Sequence, residues 1–311
     1  MKQYKSSQSS IKKPNTFIVG APKCGTTALS EYLRAHPQVF VSSPKEPHHF
    51  VYEDMPKKSK YNDLDKYLEL FKEAGDQHKI IMEASVWYLF SEKAIEKIHA
   101  FDPASKIIIM LRRPDEMVYS MHNQAVITFN DDILDFTQAW QSSLNNKKRA
   151  SYPKLCKEPR LLDYNKIANY SAQIENVLKF FPKSQVFIIF YDDFKANTES
   201  VFSDTLSFLG IEQVPLGKFE KINKNRTIKN RVLGRFIKEP PQFMLKLASK
   251  IKTLLGIRKL GILSRLSALN SVETKRAELP EAVRLDIVNH YRSDILRLQT
   301  LAHRDLSDWL K

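Results

Sequence analysis

Thr16 to Thr27, TFIVGAPKCGTT, fixes the first unit of any fold open to this chain: an apolar run ending at Gly20, a Lys-bearing loop, then a helical pattern. Gly20 and Gly25 keep the spacing of the two glycines of a phosphate loop, whose backbone N–H groups wrap an anion at a helix N-terminus. An NTPase pattern places Lys straight after the second glycine; here Thr26 stands there and the lysine is Lys23, inside the loop. The cation is thereby re-aimed at the terminal anionic group of a bound nucleotide. An NTPase also needs Mg²⁺, held by the loop Ser/Thr and by an Asp closing a second apolar strand. The plainest such strand, Lys106 to Leu111 (KIIIML), ends instead in Arg112-Arg113-Pro114, which puts a second phosphate site where a metal site would be.

Strand and helix patterns alternate along the rest of the chain. A helix runs from the loop to His36-Pro37, followed by a short strand at 39–41 and an amphipathic helix over 62–74 that Gly75 ends. A third strand is predicted at 79–82, a helix at 91–100, the strand at 106–111, and a helix from Pro114 to about Val126. A long helix over 165–181, a strand at 186–191 and a helix ending at Gly210 follow. Such alternation predicts an α/β fold with a doubly wound, mainly parallel sheet and ligands at the carboxyl ends of its strands. Lys23 and Arg112 both lie just past such ends. Residues 128–162 carry no clean period and read as a surface excursion beside the site.

Length and apolar content suit one domain over 1–311, with residues 1–14 a polar arm. No run of about 18 uncharged apolar residues is present, and MKQYKSSQSSIKKPN lacks the apolar stretch of a secretory signal. Only Cys24 and Cys156 occur, the first inside the loop, which argues against a disulfide framework and for a reducing cytoplasm. The net charge of +14 favours anionic partners. From Lys221 to Arg276, fifteen Lys or Arg face only Glu239 and Glu273, so this stretch carries nearly the whole excess.

GAPKCGTT, PKEPHHF and IIIMLRRPDEMVYS, in that order, with FIIFYDDF, a helix ending FLGI and the tail HRDLSDW, resemble the sulfotransferases that use 3′-phosphoadenosine 5′-phosphosulfate, most closely the bacterial and heparan-sulfate-type branch. The resemblance implies a P-loop nucleotide-kinase-like fold. It also implies metal-independent, in-line sulfuryl transfer to a hydroxyl, or less often an amine, of a glycan, glycolipid or small-molecule acceptor. Pro22, Lys23, Cys24, Gly25, Thr26 and Thr27 would hold the 5′ phosphosulfate, with Lys23 neutralising charge on the bridging oxygen. Arg112 and Ser120 match the positions that grip the 3′-phosphate.

Glu46 in PKEPHHF aligns with the catalytic glutamate of the heparan-type enzymes; His48 and His49 compete for the same role, since imidazole titrates near neutrality. The histidine pair has no further ligands at zinc-like spacing, so no metal is expected. MEASVWYLF at 82–90 carries Ala84 where those enzymes have an acceptor-side lysine; Glu83 and Ser85 are expected to line the cleft, and Trp87 and Tyr88 to stack on the acceptor or pack in the core. The Gly-rich RKG segment of cytosolic members is missing, and NKNRTIKNR at 223–231 is the substitute, with Lys229 and Arg231 as 3′-phosphate contacts.

Two rivals remain at this level. FIIFYDD, with Asp192 and Asp193 as Mg²⁺ ligands, suits a P-loop kinase or NTPase, and the basic 221–276 stretch suits a membrane- or polyanion-binding protein. Within that stretch, residues 231–270 interleave basic and apolar side chains in a way that predicts amphipathic helices after Pro240-Pro241, serving as a lid over the acceptor cleft that also touches a membrane, or packing plainly on the core.

Overall fold

The computed structural model describes residues 12–51, 60–145, 151–156, 158–217, 226–241, 266, 268–274 and 277–311. Five strands, β1 (Thr16–Gly20), β2 (Val39–Val41), β3 (Ile80–Ala84), β4 (Lys106–Leu111) and β5 (Val186–Phe190), pair in the order β2-β3-β1-β4-β5, every neighbour parallel. The central position of β1 follows from its sequence. All of its residues are buried, as a parallel strand covered on both faces requires, and Ile107 to Leu111 of β4 are fully buried beside it. The expected mainly parallel sheet with flanking helices is what the chain forms.

Helices α1 (Thr26–Arg34), α2 (Leu64–Leu68), α3 (Ala94–Phe101), α4 (Pro114–Ile127), α5 (Phe136–Leu144), α6 (Tyr170–Phe180), α7 (Tyr191–Ala196), α8 (Thr198–Leu209), α9 (Arg231–Lys238) and α10 (Glu281–Ala302) accompany the sheet. Local signals set several boundaries as expected. Pro114 opens α4, and Gly210, in the left-handed conformation, closes α8.

Elsewhere tertiary contacts override the local pattern. The helix expected over 62–74 is only α2, capped by the Asp63 carboxylate, and it tightens into a 3-10 turn at Glu69–Phe71. The helix expected from 165 begins at Tyr170, because the Asp294 carboxylate of α10 accepts the Tyr170 and Ser171 N–H groups at 2.9 and 3.0 Å. β5 stops at Phe190, and Tyr191 already belongs to α7. Residues 128–162 are only partly a surface excursion: α5 buries Phe136, Ala139 and Trp140, and the Trp140 indole N–H donates to Asp286 on α10 at 2.7 Å. One cluster of buried apolar side chains runs from Phe17 through the sheet to Trp309.

Of the basic 221–276 stretch, α9 and a two-stranded antiparallel ribbon, β6 (Arg226–Ile228) with β7 (Ser271–Glu273), are described. The amphipathic helices expected after Pro240-Pro241 fall on 242–265, outside the described residues, as does most of the 1–14 arm.

Trp140 is the test of the corrected 128–162 segment. Trp140→Ala should cost about 3–5 kcal/mol of unfolding free energy in urea, since it empties a large buried site and strands the Asp286 acceptor. A midpoint equal to wild type would return α5 to the surface.

Candidate functional site

The anion cradle is built where β1 runs out. Gly25 sits at φ 89° as the residue before α1, and a Cβ there would lie 3.1 Å from the Tyr191 ring, so the turn needs glycine on both backbone and steric grounds. No side chain caps the α1 N-terminus, which leaves its first-turn amides for an anion. Pro22 has no N–H and shapes the loop without donating to it. The Cys24 thiol is fully buried against the Pro22 carbonyl, and burial pushes it up to about 12, so this residue offers only its amide. The donors facing the cradle are thus the amides of 23–27 and the hydroxyls of Thr26 and Thr27.

A residue the sequence reading passed over stands beside them. The Lys45 Nζ donates to Thr27 Oγ1 at 3.0 Å, to Thr26 Oγ1 at 3.4 Å and to Glu46 Oε1 at 3.0 Å. Its signal was legible as a lysine next to the proposed carboxylate in PKEPHHF, but a loop lysine ordinarily reads as solvated. The other Glu46 oxygen lies 3.5 Å from His48 Nε2. The loop that carries these groups hangs on the end of β3: Glu46 N–H donates to the Ala84 carbonyl, and Glu46 and His48 both adopt left-handed φ, at 60° and 57°. Burial alone would raise the Glu46 carboxyl, but the His48 hydrogen bond and the Lys45 charge outweigh it and hold it at about 2. Glu46 is therefore ionised at neutral pH and, while Lys45 stays on it, a weak base. His49 does not join it: its ring stacks on Tyr67 at 4.2 Å and its Nδ1 meets the Tyr61 carbonyl at 2.6 Å.

The second cationic station lies at the end of β4, the strand next to β1. Arg112 stacks on the Tyr191 ring at 4.6 Å, reaches the Lys23 carbonyl at 3.4 Å, and forms an ion pair with Glu116 at 2.6 Å. Glu116, Ser120 and Gln124 recur at four-residue spacing on one face of α4, and the Lys23 Nζ donates to Gln124 at 3.3 Å. Arg112 and Lys23 meet at the Lys23 carbonyl, and the buried Ser120 lies on α4 between their partners Glu116 and Gln124. Arg113 points elsewhere, to the Asp115 carboxylate and the Asp308 carbonyl. A cavity of about 600 Å³ opens on the far flank of Arg112, between α4 and Ala277, Leu279, Arg284 and Lys311, with no lining residue from the phosphate loop or the Glu46 loop.

Lys229 and Arg231 are not brought to Arg112. Arg231 lies over the Phe129 ring at 5.3 Å, past the C-terminus of α4, about 20 Å along the helix axis from its start by a rise of about 1.5 Å per residue. Lys229 is exposed, its main-chain N–H donating to the Asn270 carbonyl. Glu83, expected to line the cleft, is fully buried beneath it, as are Ser85 and Tyr88, whereas Trp87 is half-buried.

A family model described as the sulfotransferase domain matches residues 13–232. A sulfotransferase from Alicyclobacillus acidocaldarius superposes with a TM-score of 0.68 at 25% identity, covering 97% of this chain and 100% of that one. Carbohydrate sulfotransferase 15 of Mus musculus is 26% identical over 246 residues, covering 64% of this chain, and heparan sulfate glucosamine 3-O-sulfotransferase 3B1 of Homo sapiens is 27% identical over 217 residues, covering 68%. The chain spans 44% and 50% of the lengths of these two relatives.

The charge arrangement around Glu46 has a consequence for acid stability. Its folded value of about 2 lies below the ordinary 4.5, so the pairing stabilises the fold above 4.5 and that contribution is lost as pH falls towards 2. With the side chain about one-third exposed (36%), the contribution is no more than about 1 kcal/mol. The stability difference between wild type and Glu46→Gln, measured by urea unfolding at several pH values, should shrink between pH 5 and pH 2; a constant difference would show that the ion pair does not form.

Proposed function

The chain belongs to the sulfotransferase domain family, and from that premise we propose that its 22–27 loop, Lys23, Lys45, Glu46, Arg112 and Ser120 form the site at which a sulfuryl group passes from 3′-phosphoadenosine 5′-phosphosulfate to an acceptor hydroxyl or amine. The supporting observation is the pair of cationic stations at the ends of adjacent strands. Lys23 and Lys45 flank the amides of α1, Arg112 closes β4, and Ser120 lies on α4 between Glu116 and Gln124. A nucleotide with anionic groups on both its 5′ and 3′ sides offers an anion to each station, with Arg112 bordering the loop at the Lys23 carbonyl.

The chemistry follows from the placement. The acceptor oxygen bonds to sulfur as the bond from sulfur to the bridging phosphate oxygen breaks, and that oxygen keeps the electron pair. Lys23 and Lys45 neutralise the charge developing on it. The acceptor proton passes to Glu46. Lys45 links the two events. When it shifts from the Glu46 carboxylate to the donor, Glu46 keeps its His48 contact but loses one of the two partners that depress it, and becomes a stronger base at the moment a base is needed.

The kinase reading is less well supported, because its two carboxylates are engaged elsewhere. Asp192 accepts the Trp309 indole N–H at 2.9 Å, and Asp193 pairs with Arg304 at 2.7 Å. The acceptor class is inferred from the relatives, whose names specify carbohydrate and heparan sulfate glucosamine. Ala84 makes the acceptor side unlike the heparan-type enzymes, so a carbohydrate other than heparan is favoured. Labelled donor offered with desulfated chondroitin, desulfated heparan and short oligosaccharides tests this, and transfer confined to non-carbohydrate alcohols would overturn the acceptor class.

Two measurements test the site itself. Adenosine 3′,5′-bisphosphate should bind without added metal, and Arg112→Ala should weaken it about tenfold or more while leaving 5′-AMP binding near wild type. Glu116→Gln, which releases Arg112 from its ion pair, should bind the bisphosphate at least as tightly as wild type. Equal affinity of the wild type for the two nucleotides would remove Arg112 from the site. Lys23→Ala should slow transfer by about a hundredfold to a thousandfold with cooperative unfolding retained, and near-normal turnover would take Lys23 out of the mechanism.

A further inference from the structure

A fully buried carboxyl lies directly beneath the loop that carries Glu46 and His48, and the sulfuryl-transfer chemistry makes no use of it. Glu83, on β3, has no exposed surface. Its Oε2 accepts the Tyr88 hydroxyl at 2.7 Å and the Tyr67 hydroxyl at 3.1 Å. The Ser85 hydroxyl lies beside the same carboxyl and favours its charged form, although Oε1 meets no donor in hydrogen-bond geometry among the described residues.

Each of these three neighbours holds a different part of the overlying loop. Ser85 Oγ accepts the His48 N–H at 3.1 Å, Tyr88 accepts the Phe50 N–H at 3.4 Å, and the Tyr67 ring stacks on His49. The base of the assembly is equally fixed: Ser85 N–H donates to the Ile18 carbonyl of β1, and Leu89 N–H to that of Val19. A fully buried carboxyl is costly to keep even beside a few hydroxyls, and replacing it with an apolar side chain would relieve that cost. Burial pushes Glu83 up to about 7, the Ser85, Tyr88 and Tyr67 hydrogen bonds partly offset this, and the nearby Glu46 charge adds to the rise. Its retention in the core is explained if Oε2 is needed to orient the Tyr88 and Tyr67 hydroxyls.

We propose that Glu83 is a positioning residue for the proton acceptor: it orders the Tyr88 and Tyr67 hydroxyls, which hold the Phe50 N–H and the His49 ring, and together with Ser85 on the His48 N–H these fix the loop so that the left-handed 46–48 turn holds Glu46 against Lys45 and His48. This rests on the reading of Glu46 as the base. Glu83 acts through the loop and touches neither donor nor acceptor. The same three contacts account for a turn in which Glu46 and His48, two residues without glycine's freedom, both hold positive φ.

The test reads the loop directly, without turnover, on the full chain. Hydrogen–deuterium exchange of the peptide covering 46–50 is compared in wild type, Glu83→Leu, Glu83→Gln and Tyr88→Phe, alongside the NMR resonances of the His48 ring and the affinity for adenosine 3′,5′-bisphosphate. Glu83→Leu should speed exchange at 46–50 by about tenfold or more and shift the His48 ring resonances, with nucleotide affinity within about threefold of wild type. Glu83→Gln, which keeps an acceptor for both tyrosines, should restore most of the protection. Exchange at 46–50 within about threefold of wild type in Glu83→Leu, or equally fast exchange in the Gln and Leu variants, would overturn the proposal. Should Glu83→Leu not fold, Tyr88→Phe deletes the oxygen that joins Glu83 to the Phe50 N–H; about fivefold faster loop exchange supports the proposal, and wild-type protection overturns it. A wild type that fails to bind the bisphosphate would sink the sulfuryl-transfer reading, while the exchange data would still decide whether Glu83 orders the loop.

Discussion

The site depends on a steric constraint at the end of β1. The chain must leave the middle of a five-stranded parallel sheet and start a helix at once, with its amides turned towards the space between β1 and β4, and Tyr191 occupies the room that a side chain at Gly25 would need. Tyr191 is also the ring on which Arg112 stacks. One aromatic side chain at the start of α7 therefore sets both the shape of the cradle and the seat of the second cation. That common support ties the guanidinium to the loop, with Arg112 also reaching the Lys23 carbonyl at 3.4 Å.

The cations of this site share a second feature. Lys45 rests on Glu46, Arg112 on Glu116, and Lys23 on Gln124, each partner being a side chain long enough to move aside. Burying an unpaired cation beside the sheet would be costly, so the fold supplies exchangeable partners. Substituting a phosphate oxygen for a carboxylate then trades one charge-assisted hydrogen bond for another, and the binding energy left over comes from the geometry of the amide cradle. On the proposed reading of Glu46 as the base, the exchange would also raise its basicity, and donor binding and acceptor activation would be coupled through Lys45.

What could be read in the sequence divides along the same line. The phosphate loop, the β4–Arg112 junction, the Pro114 start of α4 and the Gly210 stop of α8 rest on interactions within a few residues, and the pattern carried them. Ser120 was reached through the resemblance, and its place on α4 between Glu116 and Gln124 follows from four-residue spacing. The larger differences are long-range, whereas the shortening of the 62–74 helix to α2 and the end of β5 at Phe190 are local. The start of α6 is set by Asp294, more than a hundred residues away; Trp140 enters the core through Asp286; Lys45 matters only because α1 comes beside its loop; and Arg231 is drawn to Phe129 rather than to Arg112. Glu83 illustrates the same limit. Next to Ala84 in a strand it reads as a cleft residue, and only the arrival of Tyr67 from α2 and Tyr88 from the turn after β3 makes it a buried anchor.

The C-terminal segment explains the placement of Arg113, which closes a contact between the α4 N-terminus and the Asp308 carbonyl while pairing with the buried Asp115. Trp309 and Arg304 take the two aspartates that follow β5, and Asp294 caps α6, so α10 and the last turn touch both strands on the Arg112 side of the sheet through polar contacts as well as packing. Arg112 sits between these restraints. With its neighbour in sequence tied to the tail and its ring partner at the start of α7 tied to the same helix pair, the guanidinium has little freedom except to exchange Glu116 for another anion. The tail therefore does for the second cationic station what the Glu83 cluster does for the loop of Glu46: a remote part of the chain supplies the rigidity that a surface loop cannot provide for itself.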